Sequence, residues 1–196
     1  MILLIATRNK HKLEEIRAIL GAPALALKSA LDFPDIPDVV EDGATFEANA
    51  QKKAEALARA TGLWTLADDS GLEVDALGGA PGVFSARYAG EPTDYAANNS
   101  KLLRELAGGK NRTARFRCVL ALASPAGKVR FVDGRCEGRI IEDLRGAGGF
   151  GYDPLFIPDG FAQTFAEMPT DAKNKISHRG RALAAARVAW REIFCS

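Results

Sequence analysis

The chain has 196 residues, 47% hydrophobic and 26% charged, which fits an ordinary globular domain long enough for a substantial core. Lys and Arg total 26 against 25 Asp and Glu, so the net charge of +1 argues against a nucleic-acid surface, and any positive field has to be local. Cys118, Cys136 and Cys195 are odd in number and unclustered, which argues against a disulfide framework or a zinc site and for a reducing, cytoplasmic setting; the short apolar start MILLIAT, with no basic leader, is expected to be neither a signal peptide nor a membrane anchor.

Ile2 to Ala6 reads as a first strand, and Leu13, Ile16, Ile19 and Leu20 recur at helical spacing until Gly21 and Pro23 stop the helix. Between strand and helix lies Thr7-Arg8-Asn9-Lys10-His11-Lys12. Such a turn is a sensible phosphate cradle, because unpaired backbone N–H groups and the helix dipole attract anions; the plainer reading is that Asn9 caps the helix while Lys10 and Lys12 are solvated. Leu25 to Leu27 is a candidate second strand, and Pro34 and Pro37 make the following stretch a loop that delivers Glu41-Asp42-Gly43. An alanine-rich helix is expected from Thr45 to Thr61, ending at Gly62. Asn49 and Lys53 lie one turn apart on it, a spacing that gains interest only if Glu41 and further acids converge there.

Trp64 to Ala67 reads as a buried strand with Asp68 and Asp69 in a polar turn at its C-terminal end. Ligands of open α/β sheets bind at that end, and adjacent strand residues point to opposite faces, so the two acids are expected to do different jobs, one facing a cleft and one holding the loop. A solvated turn is the competing reading. Leu72 to Leu77 continues apolar, Gly78 to Gly82 makes a tight turn, and Pro92-Thr93-Asp94 starts a helix with Leu102, Leu103 and Leu106 inside, closed by Gly108-Gly109. Residues 113–123 pair as a hairpin with 129–132, and Arg135 to Ile141 gives another strand.

Residues 146–151 formally match G-x-G-x-x-G, but Asp153-Pro154 and Ile157-Pro158 cannot continue the helix that motif must open. A glycine-rich loop that sets Phe150, Tyr152 and Asp153 beside a ligand fits better. Ser177 is a plausible cap for a last helix with His178 and Arg179 in its first turn and Leu183, Ala186, Val188, Trp190 and Ile193 on its packed side. Lys173, Lys175, His178, Arg179 and Arg181 gather where the helix dipole disfavours cations, which points to an anion or an oxygen-rich ligand, or else to a solvated basic patch.

These pieces add up to a nucleotide phosphate site with acids able to hold Mg²⁺; no G-x-x-x-x-G-K-[ST] and no kinase signature set occurs. The blocks ATRNKHK (6–12), EDGATFEANAQKKA (41–54), ADDSGLEVDALGGAPGVFSARYAG (67–90), GGFGYDPLF (148–156) and KNKISHRGRAL (173–183) together resemble the inosine triphosphate pyrophosphatase family over essentially the whole chain. That resemblance implies a single α/β domain over 1–196, with a central mixed, elongated sheet flanked by helices and two lobes around a deep nucleotide-binding cleft. It also implies a cytoplasmic, Mg²⁺-dependent homodimer that hydrolyses non-canonical purine nucleoside triphosphates (ITP, dITP, XTP) to the monophosphate and pyrophosphate.

Carried over by motif, Thr7, Arg8, Asn9, Lys10, His11 and Lys12 would bind the triphosphate, Lys53 a phosphate and Glu41 with Asp69 the metal. Asp69 would accept the proton of water and Ser70 touch the substrate, while Phe150, Gly151, Tyr152, Asp153, Lys173, His178 and Arg179 would surround base and sugar, Arg179 donating to the C6 oxygen. Two departures from the family pattern stand out: Arg8 where Gly is frequent, and Ala48 where Glu often precedes the helix asparagine, with Glu47 one place earlier. The alternatives are a Maf-type pyrophosphatase acting on pyrimidine or modified nucleotides, and a nucleotide-binding sensor without turnover.

Overall fold

The computed structural model describes residues 1–21 and 25–194, so Pro23 and Cys195 lie outside the described residues. The chain runs β1 (Ile2–Ile5), α1 (Lys10–Leu20), β2 (Ala26–Ser29), α2 (Phe46–Thr61), β3 (Trp64–Val74), α3 (Tyr95–Glu105), β4 (Thr113–Ala123), β5 (Val129–Ile140), β6 (Phe156–Pro158), α4 (Thr170–Ile176), α5 (His178–Ala189) and α6 (Arg191–Phe194). The strands pair in the order β2-β1-β3-β4-β5-β6. β1 runs parallel to both β2 and β3, whereas β6 is antiparallel to β5, so the sheet is mixed. None of the described helices is long and apolar enough to cross a membrane.

Side-chain oxygens start three of the helices. Asn9 accepts from Lys12 N–H at 3.2 Å, Thr45 from Ala48 N–H at 3.1 Å and Asp94 from Ala97 N–H at 3.0 Å, each satisfying a backbone donor that the first turn leaves open. Gly62 closes α2 in the left-handed conformation, φ 67°, which costs glycine no Cβ clash.

Three expectations need correction. The turn expected at 68–71 does not form, because β3 continues unbroken through Asp68-Asp69-Ser70-Gly71 to Val74. Turn propensity loses here because the protein's own cations neutralise both carboxylates inside the sheet. Likewise 129–132 and 135–141 are one strand, β5, running through Asp133-Gly134. Val188 is 80% exposed, since it lies five residues beyond Leu183 and therefore well off the stripe formed by Leu183, Ala186 and Trp190.

The fold divides into two compact units. The first comprises residues 1–69, 118–134 and 179–196, the second 70–117 and 135–178. The first is built on Leu3, Ile5, Leu13, Ile16, Leu66, Cys118, Leu120, Leu122, Leu183 and Trp190, so α1 and α5 contribute helical stripes and β1, β3 and β4 alternate side chains to one core. The second is built on Leu72, Leu102, Leu106, Phe116, Tyr152, Phe156 and Phe165, with Phe116 edge-on to Phe156 and stacked on Phe165.

Candidate active site

In the first unit, Asp68 and Asp69 follow one another on β3 and meet different partners, as their alternation requires. Asp68 Oδ1 lies 2.5 Å from Lys12 Nζ of α1, and Oδ2 accepts from Arg179 Nε at 3.0 Å and from the Cys118 thiol at 3.1 Å. Arg179, from the first turn of α5, also donates from Nη1 to Glu15 of α1. Burial by itself would raise the Asp68 carboxyl, but the charges of Arg179, Lys12 and Lys53 reverse this and hold it well below the usual carboxylate range. Asp68 is therefore a fixed anion. Lys12 answers it: burial pulls its ammonium down, the adjacent Asp68 outweighs this, and the group stays charged. The Cys118 thiol is pushed well above its ordinary value by burial and by Asp68, which leaves it an inert donor.

Asp69 meets the other set. Lys53 Nζ, rising from α2, donates to Glu41 Oε2 at 2.7 Å, to the Asp68 carbonyl at 2.8 Å and to Asp69 Oδ1 at 3.4 Å. Asp69 Oδ2 is buried with no hydrogen-bond partner among the described residues. Burial pushes the Asp69 carboxyl up to about 6, against the pull of Lys53 and Lys12 and with an added push from Glu41 and Asp68. Glu41 moves the opposite way: the Lys53 ammonium overrides its burial and lowers it.

Glu41 and Asp69 thus flank one cation, the Lys53 ammonium, and Asp69 keeps an unsatisfied buried oxygen. Both features suit a divalent cation, because hard cations take carboxylate oxygens. Among the described residues no group of three or more His, Cys, Asp or Glu converges to hold a metal. A cation bound by two carboxylates has to complete its shell with water or phosphate oxygens, the usual habit of Mg²⁺.

The β1–α1 turn is ordered from within. Thr7 Oγ1 accepts from Asn9 N–H at 3.1 Å, while Lys10 and His11 are exposed. Arg8 turns away toward residues 33–38, donating from Nε to Asp38 Oδ1 and from Nη2 to the Ile36 carbonyl, both at 2.6 Å. It staples that loop, a role its sequence neighbours gave no sign of.

In the second unit, the glycine-rich segment is a loop, with Gly146, Gly149 and Gly151 all at positive φ. Asp153 Oδ2 accepts from Phe150 N–H at 2.9 Å and from Lys173 Nζ at 2.6 Å, and a Cβ at Gly149 would sit 2.0 Å from that same oxygen, so the closure requires glycine. The Lys173 ammonium also lies over the Phe150 ring, 5.3 Å from its centroid. Tyr152 is in the core, its hydroxyl donating to the Ser85 carbonyl at 2.9 Å, and His178 stacks on Phe116 at 4.7 Å. Phe150 and Gly151 are half-buried, as is Ser70 on β3.

The electrostatic conflict expected at 173–181 is met by the protein's own acids. Lys173 sits in a separate short helix, α4, against Asp153, and Arg179 is neutralised by Asp68 and Glu15. The sequence missed Glu15, and of Asn49 it showed only the one-turn spacing from Lys53. Glu15 reads as one more polar position on α1, and only the fold shows it nine-tenths buried under Arg179.

Comparison with known proteins bears on what these groups do. The model of the Ham1 family matches residues 3–189. The chain is 58% identical to a dITP/XTP pyrophosphatase of Geobacter sulfurreducens over 184 residues, 93% of this chain and 92% of that one. It is 55% identical to a dITP/XTP pyrophosphatase of Desulforamulus reducens over 185 residues, again 93% and 92%. Among solved structures, the Staphylococcus aureus Ham1 protein superposes with a TM-score of 0.89 at 37% identity, covering 98% of this chain and 99% of its own.

Proposed function

The chain belongs to the Ham1 family, and on that premise we propose that it hydrolyses non-canonical purine nucleoside triphosphates such as dITP and XTP to the monophosphate and pyrophosphate. Relatives at 58% and 55% identity carry the name dITP/XTP pyrophosphatase, which favours this reading over a pyrimidine-directed pyrophosphatase or a sensor without turnover. The observation that carries the chemistry is Asp69: a buried carboxyl beside Glu41 and Lys53, with one oxygen unpartnered.

Asp69 takes the proton of a water that attacks the α-phosphorus; the new P–O bond forms as the bond from that phosphorus to the bridging oxygen breaks, and pyrophosphate departs. Lys12 and Lys53 supply positive charge beside the phosphates, and Thr7 to Lys12 lie at the N-terminal end of α1, where the helix dipole favours an anion. Mg²⁺, held by Glu41 and Asp69 and completed by substrate oxygens, would neutralise charge on the leaving pyrophosphate. Base and sugar are assigned to Ser70, Phe150 to Asp153, Lys173, His178 and Arg179, with Arg179 both donating to the C6 oxygen and anchoring Asp68. The family resemblance adds a homodimer and a cytoplasmic setting, the first of which sizing in solution measures.

The test is to incubate the purified protein and Mg²⁺ with dITP or dATP and assay pyrophosphate and orthophosphate separately. Pyrophosphate from dITP and little from dATP is expected. Orthophosphate would move the attack to the terminal phosphate, and no product at all would leave only a binding role.

A further inference from the structure

Helix α3 contributes none of the residues assigned above, yet two successive turns of one of its faces reach two successive residues of the glycine-rich loop. Tyr95, the first residue of α3, packs its ring against Phe150 with centroids 6.0 Å apart. Asn99, four residues on and therefore on the same face, donates from Nδ2 to the Gly151 carbonyl at 3.0 Å. Asn98 beside it binds the segment that receives Tyr152: its Oδ1 accepts from Ala89 N–H at 2.7 Å and its Nδ2 donates to the Ala86 carbonyl at 3.1 Å, while the Tyr152 hydroxyl donates to the Ser85 carbonyl. Phe150, Gly151 and Tyr152 are thus each tied to α3 or to the segment α3 holds.

Asn99 is 6% exposed, and its Oδ1 has no hydrogen-bond partner among the described residues. A buried unsatisfied acceptor is a cost, and a leucine of about the same size would fill the space without it. Packing therefore does not account for an amide here, whereas the donor side does. Gly151 sits at φ 62° between two aromatic residues that need different settings, one half-buried and one in the core, so fixing its carbonyl fixes the direction in which the chain passes from Phe150 to Tyr152.

We propose that Asn99 is a positioning residue for nucleobase binding: through the Gly151 carbonyl it holds the Phe150–Tyr152 loop in the conformation that receives the purine, with Tyr95 as its apolar second point. The inference rests on the assignment of that loop to the base. Asn99 does not touch the substrate, so its loss weakens binding and selectivity and leaves the hydrolytic step intact.

Asn99→Leu separates donation from packing. The variant is expected to melt close to the wild-type temperature, since loss of the orphaned oxygen offsets loss of the bond to the Gly151 carbonyl, while KM for dITP rises about tenfold with kcat within about twofold and the dITP-over-dATP preference falls. In the ligand-free protein, hydrogen exchange across residues 146–153 is expected to accelerate about tenfold. Should Asn99→Leu fail to fold, Tyr95→Ala, at the half-buried start of α3, is expected to give the same KM rise and faster exchange. Wild-type KM, preference and exchange in the variant that folds would overturn the proposal. If the wild-type enzyme releases no pyrophosphate from dITP, the functional assignment fails, and the exchange measurement still decides whether Asn99 holds the loop.

Discussion

Asn49 brackets the backbone of Gly43: its Oδ1 accepts from Gly43 N–H at 2.7 Å and its Nδ2 lies 3.4 Å from the Gly43 carbonyl. Glu41 stands two residues before that clamp and has no regular structure of its own, so a side chain of α2 sets where this carboxylate sits. The approach is close enough that a Cβ on Gly43 would meet Asn49 Oδ1 at 2.6 Å. Asn49→Ala is expected to raise the Mg²⁺ concentration needed for half-maximal activity about tenfold, the scale on which supporting hydrogen bonds act in metal sites, with near-normal turnover at saturating Mg²⁺. Titrating activity with Mg²⁺ checks it, and an unchanged midpoint would detach Asn49 from the metal.

Asp69→Asn is expected to lower turnover by about 10²-fold or more while raising the melting temperature of the metal-free protein at pH 7. The sign follows from burial. A carboxyl whose folded pKa lies near 6, above its ordinary 3.8, binds its proton more tightly when folded. Its favourable contribution is complete below the unfolded value and is lost as pH climbs through 6, so at pH 7 the wild type carries the cost of a buried charge and the amide does not. Thermal melts of both proteins at pH 5 and pH 7 are expected to show the gap widening at the higher pH.

Arg179→Lys keeps a positive charge near Asp68 but cannot reproduce a fork that binds Asp68 and Glu15 together. Loss of about 3 kcal/mol is expected, on the scale of a disrupted buried ion pair, which lowers the melting temperature by roughly 6–12 °C for a chain of this size. If Arg179 also reads the C6 oxygen, the dITP-over-dATP ratio falls at least about tenfold. A destabilised enzyme with its ratio unchanged would reserve Arg179 for Asp68 and Glu15.

Arg8→Gly removes the staple to residues 33–38. Its partner Asp38 is 82% exposed, so water screens the ion pair, and the bond to the Ile36 carbonyl accounts for most of an expected loss of about 1 kcal/mol. Because the side chain is committed to that loop, kcat/KM for dITP is expected to stay within about threefold. A much larger fall would show that Arg8 reaches the triphosphate.

Local signals gave the starts of α1, α2 and α3 and the end of α2: Asn9, Thr45 and Asp94 each stand at the start of an apolar-periodic run, and Gly62 follows one. That Asp68 and Asp69 meet different partners was legible from strand alternation alone. Their position in mid-strand was not, because a D-D-S-G tetrapeptide is a turn by propensity and becomes a strand only when Lys12, Lys53 and Arg179 arrive from distant parts of the chain. The basic cluster at 173–181 misled for the same reason: its anions, Asp153, Asp68 and Glu15, are 20, 111 and 164 residues away along the chain. Periodicity cannot register such a partner.

The bond from Arg179 to Asp68 spans 111 residues and that to Glu15 spans 164. During synthesis Asp68 and Glu15 therefore emerge long before their partner, and the core of the first unit stays incomplete until α5 is made. An N-terminal fragment therefore leaves Asp68 and Glu15 without their guanidinium partner. Folding that depends on such long closures is slow.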